Sequence, residues 1–98
     1  MSVFFIATVT IKDQKKFGEY AAQAKSTFEP YGGRMLTRGH IAKVLHGAAP
    51  KHQMVGIFSF PTLENMENWY QSPEYQALIP LRSEGADIDF IAYQEPQE

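Results

Sequence analysis

The chain has 98 residues and a mass of 11.1 kDa, one domain's length, and at 44% hydrophobic and 13% aromatic it is too apolar for disorder, while its longest apolar runs are too short to span a bilayer. Nine basic against eleven acidic side chains give a net charge of −2, which argues against a nucleic-acid footprint, and the absence of cysteine removes disulfides, thiol nucleophiles, iron–sulfur clusters and zinc–thiolate sites. The start, MSVFFIATVTIKD, carries no basic leader before Lys12 and Asp13, so the cytoplasm is the expected compartment.

No repeat, low-complexity tract or linker divides the chain, so a single domain over residues 1–98 is expected. Residues Val3 to Ile11 (VFFIATVTI) are β-branched and aromatic, apolar at every odd position and mixed at the even ones, which reads as a strand buried on both faces. Asp13 is then placed to cap a helix whose apolar positions Phe17, Tyr20, Ala21, Ala24 and Phe28 follow a 3.6-residue period. Pro30 disfavours a helical Glu29, and Gly32-Gly33 supplies the turn back toward the sheet.

Arg34 to His46 is extended in character, with Gly39 as the expected bulge, and residues 47–51 (GAAPK) form a loop of hairpin length before a strand from His52 to Phe60. Thr62 caps a short helix marked by Leu63, Met66 and Tyr70. Ser72-Pro73-Glu74 opens a second, through Tyr75, Leu78, Ile79 and Arg82, which Pro80 should weaken or bend and Gly85 should end. Ile88 to Tyr93 alternates as a last strand, before a polar tail.

The order strand, helix, strand, strand, helix, strand predicts an α+β class and a ferredoxin-like split βαβ fold, with both helical layers on one face of a four-stranded antiparallel sheet. The other face would be bare. Because the first strand is apolar on both parities, that face is expected to meet a second copy, giving a homodimer joined sheet to sheet.

Residues YGGRMLTRG (31–39), FSFPTLENMENWYQSPEYQALIPLR (58–82) and the early Tyr20 resemble the uncharacterised family called domain of unknown function 1330, within the dimeric α/β-barrel superfamily. The resemblance runs from about Phe4 to Tyr93, carried by Tyr20, by Gly32, Gly33, Arg38 and Gly39, by Phe60 and Pro61, and by Trp69, Tyr70, Ser72, Pro73, Tyr75 and Arg82. It implies the dimeric α/β-barrel fold and brings no reaction. Two positions depart from the pattern, His40 where the family usually has glycine and His46 where it usually has an acid. Superfamily relatives include cofactor-independent monooxygenases, lactone isomerases and haem-degrading enzymes, an analogy of fold only.

Arg38 and His40 alternate onto one strand face, where a cation and a titratable ring suit a carboxylate or a polarised carbonyl; the structural alternative pairs Arg38 with Glu74 or Glu84. Tyr20, Trp69 and Tyr75 are candidate walls of a ligand pocket or simply core, and Arg82 is a candidate ligand contact or only a cation favoured at a helix C-terminus. His46 and His52 flank the expected hairpin loop as solvated ends, a weak metal site or a dimer contact, while Asp87 and Asp89 read as solvent-facing. The glycine-rich, nucleophile-elbow and HExxH signatures of nucleotide, triad and zincin chemistry are missing, so no metal and no tightly held cofactor is expected.

Three functions are compatible with these features. The first is a homodimer that binds a small organic molecule, an anion being one option, in a cleft between helices and sheet. The second is a cofactor-independent monooxygenase-like or isomerase-like enzyme using the same cleft, and the third is a structural protein with a solid core. Neither nucleic acid nor membrane is an expected partner.

Overall fold

The computed structural model describes residues 2–96. Its first strand, β1 (Val3–Ile11), buries Val3, Phe5, Ala7 and Val9 and leaves Phe4, Ile6 and Thr8 half-buried, so the two parities meet different environments. Helix α1 (Gln14–Phe28) starts where Asp13 accepts a hydrogen bond from the Lys16 amide at 3.0 Å. It ends in a 3₁₀ turn at Glu29–Tyr31, which Pro30 enters at its first positions, and Gly32 then takes a left-handed φ of 81°. Gly33 follows for a second reason: a Cβ there would stand 2.7 Å from the Phe60 ring.

Strand β2 (Arg34–His40) is shorter than expected, and residues 41–53 form one loop before β3 (Met54–Phe60). The ladder stops because the partner strand begins only at Met54; Gly47 has a φ of 94° and Pro50 has no N–H to pair. The expected bulge at Gly39 is absent. The irregularity lies instead between Met35 and Thr37, at Leu36.

Helix α2 (Leu63–Gln71) is capped by Thr62, and α3 (Pro73–Gln76) by Ser72, whose hydroxyl accepts from the Tyr75 amide at 3.2 Å. Pro80 does not bend one continuous helix. It sits in the first turn of a separate helix, α4 (Ile79–Gly85), where its missing N–H leaves no hydrogen bond broken. Gly85 touches α1 so closely that a Cβ would lie 2.7 Å from the Phe17 amide nitrogen, and its carbonyl accepts from the amides of Lys12 and Asp13. Strand β4 (Ala86–Gln94) completes the sheet.

The sheet order is β2-β3-β1-β4 with every neighbouring pair antiparallel, the ferredoxin-like split βαβ arrangement. Val3, Phe5, Ala7 and Val9 join Tyr20, Phe28, Phe60 and Trp69 in one core between sheet and helices. On the opposite face the register aligns Phe4, Ile6 and Thr8 with Ser59, Ile57 and Val55 on one side and with Tyr93, Ile91 and Asp89 on the other. Ile91 is 54% exposed and Tyr93 46%, the latter stacked on Phe4 at 5.5 Å. The chain exposes 6629 Å², against about 5,700 Å² for a compact monomer of this mass.

Candidate functional site

The helices do not fill the inner face of the sheet. Where α1 crosses β1 and β3, small residues face one another, Ala7 and Gly56 from the strands and Ala21 and Ala24 from the helix, and a cavity of about 550 Å³ remains. Tyr20, Phe28, Phe58 and Trp69 supply aromatic walls. The charged residues lining it are Lys25 and Glu29 of the α1 end and Arg34 and Arg38 of β2, all exposed, so three cations and one carboxylate rim an apolar interior.

The irregularity at Leu36 aims Arg38. Met35 pairs with Phe58 on the helix side and Thr37 with Ile57 on the bare side, and Arg38 opposite Gly56 then returns to the helix side. Were Leu36 kept in the ladder with no irregularity, strict alternation from Met35 would turn Arg38 and His40 to the bare face. Arg38 and His40 therefore share a face; Arg38 lines the cavity, while His40, opposite Met54, does not. Glu84 is taken by Lys16 at 2.7 Å, and Arg38 makes no ion pair among the described residues.

At Tyr20 the aromatic wall joins a hydrogen-bonded knot. The hydroxyls of Tyr20 and Tyr75 are 2.7 Å apart, and Arg82 Nη1 donates to the Tyr75 hydroxyl at 2.9 Å and to that of Tyr70 at 3.3 Å. Trp69 packs on Tyr75 at 4.5 Å between ring centres and donates through Nε1 to Thr27 Oγ1 at 3.0 Å. The Arg82 guanidinium also lies 5.4 Å from the Phe90 ring centre. Four helices are joined by these contacts.

Burial pushes the Tyr20 hydroxyl far above its ordinary 10.0, and its neighbour Tyr75 adds to the rise. Burial raises Tyr75 as well, partly offset by its hydrogen bonding with Tyr20 and Arg82. For Arg82 burial opposes the charge, but the hydrogen bonds to Tyr70 and Tyr75 outweigh it and the net shift is upward. At neutral pH the Tyr20 and Tyr75 hydroxyls stay neutral beside a fixed cation.

Of the residues singled out from sequence, Arg38, Tyr20 and Trp69 meet at the cavity. Tyr75 is fully buried behind them and Arg82 joins the knot, neither lining the cavity. Lys25 and Arg34 escaped the sequence reading, since nothing local distinguishes a rim cation from a solvated one. His52 is a correction: it is not a solvated hairpin end but is 4% exposed, with Nδ1 2.7 Å from Thr10 Oγ1 and Nε2 3.2 Å from Asp89 Oδ2. Both ring nitrogens are thus committed within the fold, while His46 is exposed in the loop. Asp87 and Asp89 are exposed as expected, but each meets a cationic or protonatable partner, Lys51 and His52.

Solved structures share this fold at low sequence identity. A protein of unknown function from Rhodopseudomonas palustris, RPA0582, superposes with a TM-score of 0.81 at 16% identity, over 99% of this chain and 84% of that one. SnoaB, a cofactor-independent oxygenase from Streptomyces nogalater, gives 0.70 at 11%, over 99% and 95%. A dimeric protein of unknown function with a ferredoxin-like fold from Bacteroides fragilis gives 0.56 at 14%, over 96% of each chain. No curated protein matches. The family described as "Domain of unknown function (DUF1330)" matches residues 2–95, so the chain belongs to that family.

Proposed function

We propose that this protein is a cytoplasmic homodimer, closed through the bare sheet face, that binds a small organic anion in the cavity between α1 and the sheet. The observation that carries the ligand is charge placement: on a chain of net charge −2, three of the four charged residues at an apolar cavity are cations. A volume of about 550 Å³ accommodates a molecule of two or three rings. Arg38 holds the anionic end as a planar, permanently charged donor, and Tyr20, Phe28 and Trp69 enclose the apolar body. His40, two residues along the same face, is the candidate proton-transfer group outside the lining. Tyr75 and Arg82 act from behind the wall, holding Tyr20 in place.

The second copy is supported by the apolar strip of Phe4, Ile6, Ile57, Ile91 and Tyr93 and by the dimeric relative of the same fold. A second reading, a cofactor-independent enzyme using the same cavity, draws on the fold shared with SnoaB and on the desolvated interior; it requires turnover lost in His40→Ala. The reading without a pocket is disfavoured by the cavity itself.

Binding is tested with 2-naphthoate by isothermal titration. Wild type should bind, and Arg38→Ala should weaken binding at least about tenfold with the far-UV spectrum unchanged. Equal affinity in both proteins would remove Arg38 from the site.

A further inference from the structure

The hydrogen bonds behind the cavity run in one direction. Arginine has donors and no acceptors, so the Tyr75 oxygen must accept from Arg82 Nη1. The bond between Tyr75 and Tyr20 then has two arrangements. If Tyr20 donated, the Tyr75 proton would have no acceptor inside a residue that is 0% exposed, and that donor would bear its full desolvation. If Tyr75 donates, every polar atom of the fully buried tyrosine is satisfied. The unassigned proton is then that of Tyr20, whose only hydrogen-bond partner among the described residues is Tyr75 and which lines the cavity.

Building on the proposed anion site, we infer that the Tyr20 hydroxyl is a hydrogen-bond donor to the ligand, at the end of the chain Arg82 to Tyr75 to Tyr20, and that the ligand carries a carbonyl-type acceptor on its apolar body as well as the anionic group at Arg38. Each bond polarises the next, so the Arg82 charge strengthens a donor it does not touch. The ligand class is an aromatic or alicyclic keto acid: carboxylate at the mouth, ring system along Phe28 and Trp69, ketone oxygen at Tyr20. Tyr75 and Arg82 are positioning residues in this scheme, and Tyr20, Tyr75 and Arg82 act as one hydrogen-bonded unit.

The test compares 6-acetyl-2-naphthoate with 6-ethyl-2-naphthoate, which differ by one acceptor oxygen, in wild type, Tyr20→Phe and Tyr75→Phe. Wild type should favour the acetyl compound by about tenfold, Tyr20→Phe should bind both alike with the ethyl affinity retained, and Tyr75→Phe should cut the preference several-fold without contacting the ligand. A merely structural tyrosine would change both affinities together and leave their ratio alone. Equal binding of the two compounds by wild type overturns the inference while leaving the anion site standing, and it does so whether or not the variants fold. A preference that survives in Tyr20→Phe also overturns it. Failure of wild type to bind either compound defeats the anion site and the inference together.

Discussion

Trp69→Ala separates a wall that is part of the core from one that merely borders a ligand. Trp69 is 3% exposed and packs against Phe5 at 5.6 Å, Phe60 at 5.3 Å and Tyr75 at 4.5 Å between ring centres. Truncating such a ring costs about 3–5 kcal/mol, because the neighbours on β1, β3 and α3 cannot all collapse into the space. The indole also donates to Thr27 Oγ1, which itself donates to the Ala24 carbonyl, so the lost bond adds about 1 kcal/mol. Trp69→Phe keeps most of the packing and loses the bond, and about 1–2 kcal/mol is expected. Equilibrium urea unfolding at fixed protomer concentration measures both. Far-UV circular dichroism is the right probe, since Trp69 is the only tryptophan and its fluorescence leaves with it. A loss below about 1 kcal/mol for Trp69→Ala would refute the assignment of this ring to the core.

Stability should fall as pH rises above 10.0, the ordinary tyrosine value: there the unfolded chain releases the Tyr20 proton while the folded chain keeps it, so unfolding is favoured, whereas below that value both states hold the proton and the contribution is constant. Urea midpoints between about pH 9 and 11.5 should decline more steeply in wild type than in Tyr20→Phe, and parallel slopes would show that the hydroxyl is not desolvated. On the bare face, Ile91→Glu puts a carboxylate at a position 54% exposed in the single chain and should yield a folded monomer; a dimer of unchanged affinity would locate the contact elsewhere.

The elements most legible in the sequence are those fixed by local chemistry. Strand β1 runs over the expected Val3–Ile11, Asp13 and Thr62 cap the helices expected of them, and Ser72 caps a helix start where expected though that helix stops at Gln76, because an N-cap depends only on the next three residues. The extent of β2 was not legible, since a ladder ends where its partner ends, at Met54. Nor was the irregularity at Leu36: backbone freedom alone favours Gly39, while the register that sets the bulge comes from β3. His52 shows the same limit. Its burial depends on Thr10 and Asp89, partners 42 and 37 residues away that only the completed sheet delivers.

The motif residues make a similar point about the site. Tyr20, Trp69, Tyr75 and Arg82 were recognisable as a group, but their division into a cavity wall and a supporting network behind it depends on how α1, α3 and α4 pack. The dipole of α4 accounts for a cation near its end and not for the choice by Arg82 of two tyrosine hydroxyls. Conversely, the glycines of the first motif have packing reasons visible only in the fold, Gly32 against Pro61 and Gly33 against Phe60.

The proposed function requires a sheet with two unlike faces, one closed by helices around a cavity and one left for another subunit. Multi-angle light scattering on the purified protein at micromolar concentration tests this most directly. A particle of twice the 11.1 kDa chain mass is predicted, and a monodisperse particle at the single-chain mass would contradict it.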